Sequence, residues 1–210
     1  MDIHLIHSKK VFIFDVDGTL YSQPKMRLSM AIRLLVHYGF HFWKVKELLS
    51  IYYFRKIRED EAFGSITMDE QISVAARKAG VDVQKAKDAI ALWMFEAPLA
   101  IIKKCAFESV LEFIHQIQED GREVIIYSDY PANEKLQTLG LNPSRIFTPE
   151  NPEIAELKPS KKAMTYIMRE IGCSPKEIVY IGDRDEKDRV SADYSEIDYC
   201  DIRYLLRLLT

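Results

Sequence analysis

The sequence predicts an α/β fold, a central parallel sheet with helices on its faces, interrupted near its start by a small inserted domain made of helices alone. Three observations carry this reading. Short apolar runs at Val11–Phe14, Val124–Tyr127 and Ile178–Ile181 each pass directly into polar residues, as strands buried on both faces do where they reach a ligand crevice. Helical periodicity separates the later runs, the alternation that makes successive strands parallel. Finally, about eighty residues of helical pattern stand between the first run and the second, far more than a connection needs.

Composition narrows the class of protein. In 210 residues, 48% hydrophobic and 29% charged, there is enough apolar material for a substantial core. A formal net charge of −3 argues against a dedicated nucleic-acid binder. Cys105, Cys173 and Cys200 are odd in number and far apart, which builds neither a disulfide framework nor a metal cluster. The opening MDIHLIHSKK lacks the basic-then-apolar order of a secretory leader, and no apolar run approaches a bilayer span. A cytoplasmic protein with no membrane span is expected, its oligomeric state left open.

Taken in order, VFIFDVDGTL is a buried strand ending in Asp15 and Asp17 and turned by Gly18-Thr19. Helical spacing follows from Met26 to Tyr38, and again in Phe42, Val45, Leu49 and Tyr52, which read as part of the bundle; Tyr52, Tyr53 and Phe54 beside Arg55 could stack a base or sugar, although an aromatic stripe at helical spacing is usually core. Ile72, Ala75, Ala76 and Ala79 form an inward face stopped by Gly80, and Val83 to Phe95 completes the bundle, with Pro98 marking its end. A helix with Val110, Leu111, Ile114 and Ile117 on one face then leads through Asp120-Gly121 into the second strand, which ends in Ser128-Asp129. Asn133 to Leu139 reads as a short helix and Ile146-Phe147 as a brief strand. Ser160 is placed as the N-cap of a helix with Ala163, Ile167 and Ile171 inward, and Ser174 and Glu177 have capping-box spacing before the third main strand. That strand ends in GDRDEKD.

These strand ends share one edge of the sheet, which gathers Asp15, Asp17, Asp183 and Asp188 with one cation, Lys158, and one hydroxyl, Ser128. Clustered carboxylates repel unless a positive charge sits among them, and oxygen-only ligands suit a hard ion such as Mg2+. Such an ion, with the lysine and the backbone N–H groups of the Asp17-Gly18-Thr19 turn, would neutralise a phosphoryl group. One carboxylate can then attack phosphorus while its neighbour handles protons.

The ordered set DVDGTL, a serine after an apolar strand, a lysine before a helix, and GDRDEKD resembles the haloacid dehalogenase-like hydrolase superfamily. The resemblance runs from Val11 to Asp188. It implies a Rossmann-like core at residues 1–20 and 105–210 and a helical cap at 21–104. It also implies that Asp15 is the nucleophile and Asp17 the general acid/base. Ser128, Gly18 and Thr19 would hold the phosphoryl group, and Lys158 would offset its charge. Mg2+ would be held by Asp15, Asp183 and the backbone carbonyl of Asp17, with Asp188 supporting. The acid at Asp17 favours oxygen-linked phosphate, since dehalogenating members lack one there. Asp129 departs from the asparagine found in many relatives and cannot donate to phosphate when ionised. Tyr21 replaces a small aliphatic residue.

The expected function is thus a Mg2+-dependent phosphatase for a small phosphorylated metabolite: a phosphoglycolate-like acid, a sugar phosphate or a nucleotide. A phosphomutase using the same aspartyl-phosphate and a non-catalytic phosphate-binding module are the alternatives. Between Tyr21 and Arg58 stand eight Lys or Arg against one acid, Glu47, a basic stretch that would attract anions.

Overall fold

The computed structural model of the chain describes residue 6, residues 8–60 and residues 64–209; most of the opening stretch read above for a leader lies outside them. The chain divides into two compact units, Met1–Ser22 with Ala106–Thr210, and Gln23–Cys105.

The first unit is built on a five-stranded, wholly parallel sheet. Its strands are β1 (Val11–Phe14), β2 (Glu123–Tyr127), β3 (Arg145–Phe147), β4 (Ile178–Gly182) and β5 (Asp198–Asp201). They lie in the order β3-β2-β1-β4-β5, so β1 is central. Phe14 is in register with Ile126 on one side and Ile181 on the other. The residues that leave these three strands therefore emerge side by side, which is the physical basis of the site. Alternation along each strand fills both faces. Val11, Ile13, Ile125, Tyr127, Ile178 and Tyr180 form one core with Ala163 and Ile167 of the helix Lys161–Ile171. On the other face Phe12 meets Phe113 of the helix Glu108–Glu119 edge-on, with ring centroids 6.0 Å apart.

Phe113, rather than Leu111, completes the inward face of that helix, since Leu111 is half-buried. β5 is a strand that the sequence reading does not anticipate: DYCD has no apolar run, because an edge strand needs burial on one side only.

The second unit is helical throughout its regular elements. It contains Gln23–Phe40, Val45–Glu59, Met68–Ala79, Val83–Ile90 and Ala97–Cys105, with a π-helical turn, Ala91–Glu96, joining the last two. Thr67 and Glu70 make a reciprocal capping box, and Gly80 ends its helix at φ 65°. Two expectations are corrected here. Pro98 does not end the bundle; it is the second residue of Ala97–Cys105, where the preceding π turn has already broken the regular ladder and a missing N–H costs little. The stripe Phe42, Val45, Leu49 and Tyr52 is exposed, because Val45–Glu59 turns Ile51, Phe54 and Ile57 inward instead. Among the described residues no helix is long and apolar enough to cross a membrane.

Candidate active site

The edge of the sheet where β1, β2 and β4 end carries a connected set of charges. Asp15, the first residue past β1, is buried, and its backbone N–H donates to Ile181 O at 2.9 Å, extending the ladder by one bond. Its carboxylate accepts from Lys158 Nζ at 2.6 Å through Oδ1, and from Thr19 Oγ1 at 3.1 Å through Oδ2.

Lys158 is the hub. Its buried ammonium also donates to Asp188 Oδ1 at 2.7 Å, and to Tyr127 O and the Tyr180 hydroxyl at 3.2 Å each. Burial alone would lower its pKa, and Asp15 and Asp188 reverse this, holding it well above the ordinary lysine value. Burial pushes the Asp15 carboxyl up to about 8, with Lys158 opposing the rise and Asp188 and Asp17 adding to it.

Asp188 spends both oxygens inside the protein. Oδ1 accepts from Lys158 and from the Tyr180 hydroxyl at 3.1 Å, while Oδ2 accepts the backbone N–H groups of Asp183 and Arg184 at 3.2 and 3.1 Å. It thereby folds the loop after β4 over itself. Asp183 is the opposite case: its Oδ1 is buried and has no hydrogen-bond partner among the described residues. Burial and the nearby Asp188 raise this carboxyl to about 6. Oxygens of Asp15, Asp183 and Asp188 all lie within 4.8 Å of one another.

Two glycines make this approach possible. A Cβ at Gly18, whose φ is 106°, would overlap the Asp183 carboxylate, and one at Gly182 would stand 2.5 Å from Asp188 Cβ and Oδ2.

Asp17 stands apart from that cluster. Its Oδ1 accepts from Lys135 Nζ at 2.5 Å and from the Tyr21 hydroxyl. Burial would raise its carboxyl, and Lys135 with Tyr21 outweighs it, so the group titrates below the usual carboxylate range. Lys135, on the helix Asn133–Leu139, is buried and lies 5.6 Å above the Tyr130 ring centroid and 5.9 Å from that of Tyr21.

Ser128, buried one residue past β2, accepts the Tyr130 N–H on its Oγ at 3.2 Å. Asp129 accepts the Lys158 backbone N–H at 2.7 Å and Lys187 Nζ at 3.0 Å. The sequence reading doubted Asp129 as a phosphate contact; here its carboxylate braces the chain that carries Lys158. Lys135, Tyr21 and Lys187 are the participants that reading did not assign. In the sequence Tyr21 stands out only as a departure from the resemblance, Lys187 only as part of the GDRDEKD strand end, and Lys135 not at all.

A chain with this geometry has well-defined relatives. The family model for haloacid dehalogenase-like hydrolases matches residues 9–192. A glyceraldehyde 3-phosphate phosphatase of Methanopyrus kandleri is 28% identical over 187 residues, covering 85% of this chain and 77% of that protein. Among solved structures, the HAD-hydrolase YfnB of Bacillus subtilis superposes with a TM-score of 0.63 at 16% identity, covering 91% of this chain and 87% of its own. A predicted phosphoglycolate phosphatase of Haemophilus somnus gives 0.56 at 16%, over 97% and 99%. A 2-haloacid dehalogenase of Pseudomonas syringae gives 0.59 at 18%, over 91% and 85%. A carboxylate pair after a central strand, a buried lysine bridging two acids, and a family match over most of the length lead to one conclusion: this chain belongs to the haloacid dehalogenase-like hydrolases.

Proposed function

We propose that the protein is a Mg2+-dependent phosphatase that hydrolyses a small phosphate monoester through an aspartyl-phosphate on Asp15. The observation that carries this is Asp17. A halide leaves as a stable anion and needs no proton donor, whereas an alkoxide leaving group does. A carboxylate that is buried, hydrogen-bonded by two side chains and two residues from the nucleophile has no purpose in dehalogenation. The curated relative and one of the solved neighbours are named as phosphatases, which supports the same reading.

The donor set suits a hard divalent ion. Asp183 Oδ1 is buried without a hydrogen-bond partner among the described residues, an Asp183 carboxylate oxygen lies within 4.8 Å of one of Asp15, and every donor is oxygen. The related YfnB structure is described as bound to magnesium. Asp15, Asp183 and the Asp17 carbonyl would hold the ion; Asp188, with both oxygens taken, would position the loop. When bound, Mg2+ supplies neutralisation of carboxylate and phosphoryl charge.

The chain's own residues do the rest. An Asp15 carboxylate oxygen attacks phosphorus, the bond from phosphorus to the ester oxygen breaks, and the leaving oxygen takes the proton that Asp17 acquires as the anionic phosphate ester enters beside it. Asp17 then accepts a proton from water, whose oxygen attacks the same phosphorus and releases Asp15 and inorganic phosphate. Lys158 offsets charge at the nucleophile, and Ser128, with the Gly18-Thr19 backbone, holds the phosphoryl oxygens.

The test is a panel of phosphate esters, beginning with glyceraldehyde 3-phosphate and phosphoglycolate, assayed for inorganic phosphate with and without Mg2+. Hydrolysis is expected only with the ion, and Asp15→Asn should lower it by at least about a thousandfold. Isomer formation without phosphate release would make the protein a mutase. Halide release from 2-haloacids, or no turnover at all, would overturn the phosphatase reading.

A further inference from the structure

The helix Gln23–Phe40 is about 27 Å long at 1.5 Å per residue, and its outward face is apolar. Met26, Met30 and Tyr38 point inward. Leu28, Ile32, Leu35, Val36 and Phe40 recur at three- and four-residue spacing on the other side, and Leu35 and Phe40 are each 76% exposed. Directly after the helix, Phe42 is 74% and Trp43 64% exposed, and Val45, Leu49 and Tyr52 are exposed on the helix that follows. An ordinary surface helix is polar on this side, and exposed apolar residues so numerous along one helix face mark a docking face.

Charge identifies what docks. From Tyr21 to Lys46 the chain has no acidic residue, while Lys25, Arg27, Arg33 and Lys46 are exposed and Lys44 half-buried along the same stretch. In a chain of net charge −3, this cationic concentration is local. A second copy meeting the face about a two-fold axis would set these cations against themselves with no carboxylate between them. A bilayer surface carrying anionic headgroups satisfies both halves: the acyl boundary takes the leucines and aromatics, the headgroups take the lysines and arginines, and tryptophan favours that boundary.

We propose that the outward face of Gln23–Phe40, continued by Phe42 and Trp43, docks on an anionic lipid surface, so that the protein lies on a membrane without crossing it. This rests on the helical unit alone and holds whether or not the chain hydrolyses phosphate esters.

The experiment is co-sedimentation of the full chain with vesicles of phosphatidylcholine alone or mixed with phosphatidylglycerol, at low and high salt. Binding is expected to the mixed vesicles, falling as salt rises. Leu35→Glu combined with Trp43→Ser should weaken it at least about tenfold, and Arg33→Gln or Lys46→Gln about fivefold each. These side chains are exposed, and unchanged circular dichroism would show that the variants fold. No binding to mixed vesicles at low salt would overturn the proposal, as would equal binding to neutral ones. A dimer in solution that Leu35→Glu dissociates, without vesicle binding, would assign the face to a second copy. Salt-sensitive binding of an oligonucleotide in place of vesicles would assign it to nucleic acid.

Discussion

Lys135 and Tyr21 give Asp17 a character the carboxyl would not have alone. With both present and no ester bound, the carboxyl is held below its usual range, which on the proposed reading is the form that accepts a proton from water. Replacing Lys135 by Met leaves the burial and removes the cation, so the Asp17 carboxyl should rise. The acidic limb of the pH–rate profile would then move to higher pH, with kcat near neutrality falling by about a hundredfold. Lys135→Arg should restore most of both. An unmoved profile would detach Lys135 from proton transfer. Asp15, Asp17, Lys158, Asp183 and Asp188 are legible in the sequence because each sits at a fixed distance from a strand end or helix start that the apolar pattern locates. Lys135 is not, because it lies mid-way along a short helix where a lysine ordinarily faces water. Only the tertiary fold brings it to Asp17, across 118 residues of chain.

At the scale of elements, caps and strands follow local chemistry closely. Ser160 Oγ accepts the Ala163 N–H at 3.0 Å at the start of the helix that packs on β1 and β4. Ser160→Ala should cost about 1 kcal/mol, read as a lower urea midpoint with an unchanged slope. Gly182→Ala is the harsher change. The new methyl has to displace Asp188, which is pinned from four sides, and a loss of about 2 kcal/mol with a steep fall in activity is expected. The elements that the sequence misplaces fail for stated reasons. β5 lacks an apolar run, Pro98 is sheltered by a π turn, and the stripe from Phe42 to Tyr52 has helical spacing that periodicity alone cannot aim inward or outward. Spacing reports that a face exists; packing decides which way it turns.

For the molecule as a whole, the acidic cluster ties stability to pH and, on the proposed reading, to metal. Asp15 and Asp183 bind protons more tightly folded than unfolded, at about 8 and about 6 against 3.8 for the free side chain. A raised carboxyl favours the native state while it is protonated, so this stabilisation is present below about 4 and is lost as pH rises through 6 and toward 8. On the proposed reading, Mg2+ binds the deprotonated cluster and offsets the loss. The gain in thermal midpoint on adding Mg2+ should therefore be larger near pH 8 than below pH 6. Chelation should remove it, and a gain independent of pH would place the ion elsewhere.

The position of β1 at the middle of the sheet bears on how the chain is made. Both neighbours of β1 lie far downstream: β2 begins at Glu123 and β4 at Ile178. During synthesis the strand leaves the ribosome first and waits with both edges open, four apolar residues that in the finished protein see no more than 5% of their surface in water. The helices of Gln23–Cys105 form a compact unit of nearby sequence, so most of their contacts are available while it waits. Asp15 and Asp17, though they precede the other strands of the sheet, thus acquire their surroundings only once β4 has been added. A chain cut short before Ile178 keeps Asp15 and Asp17 but has neither Asp183 nor Asp188 around them, and its first strand keeps one open edge that other chains can join.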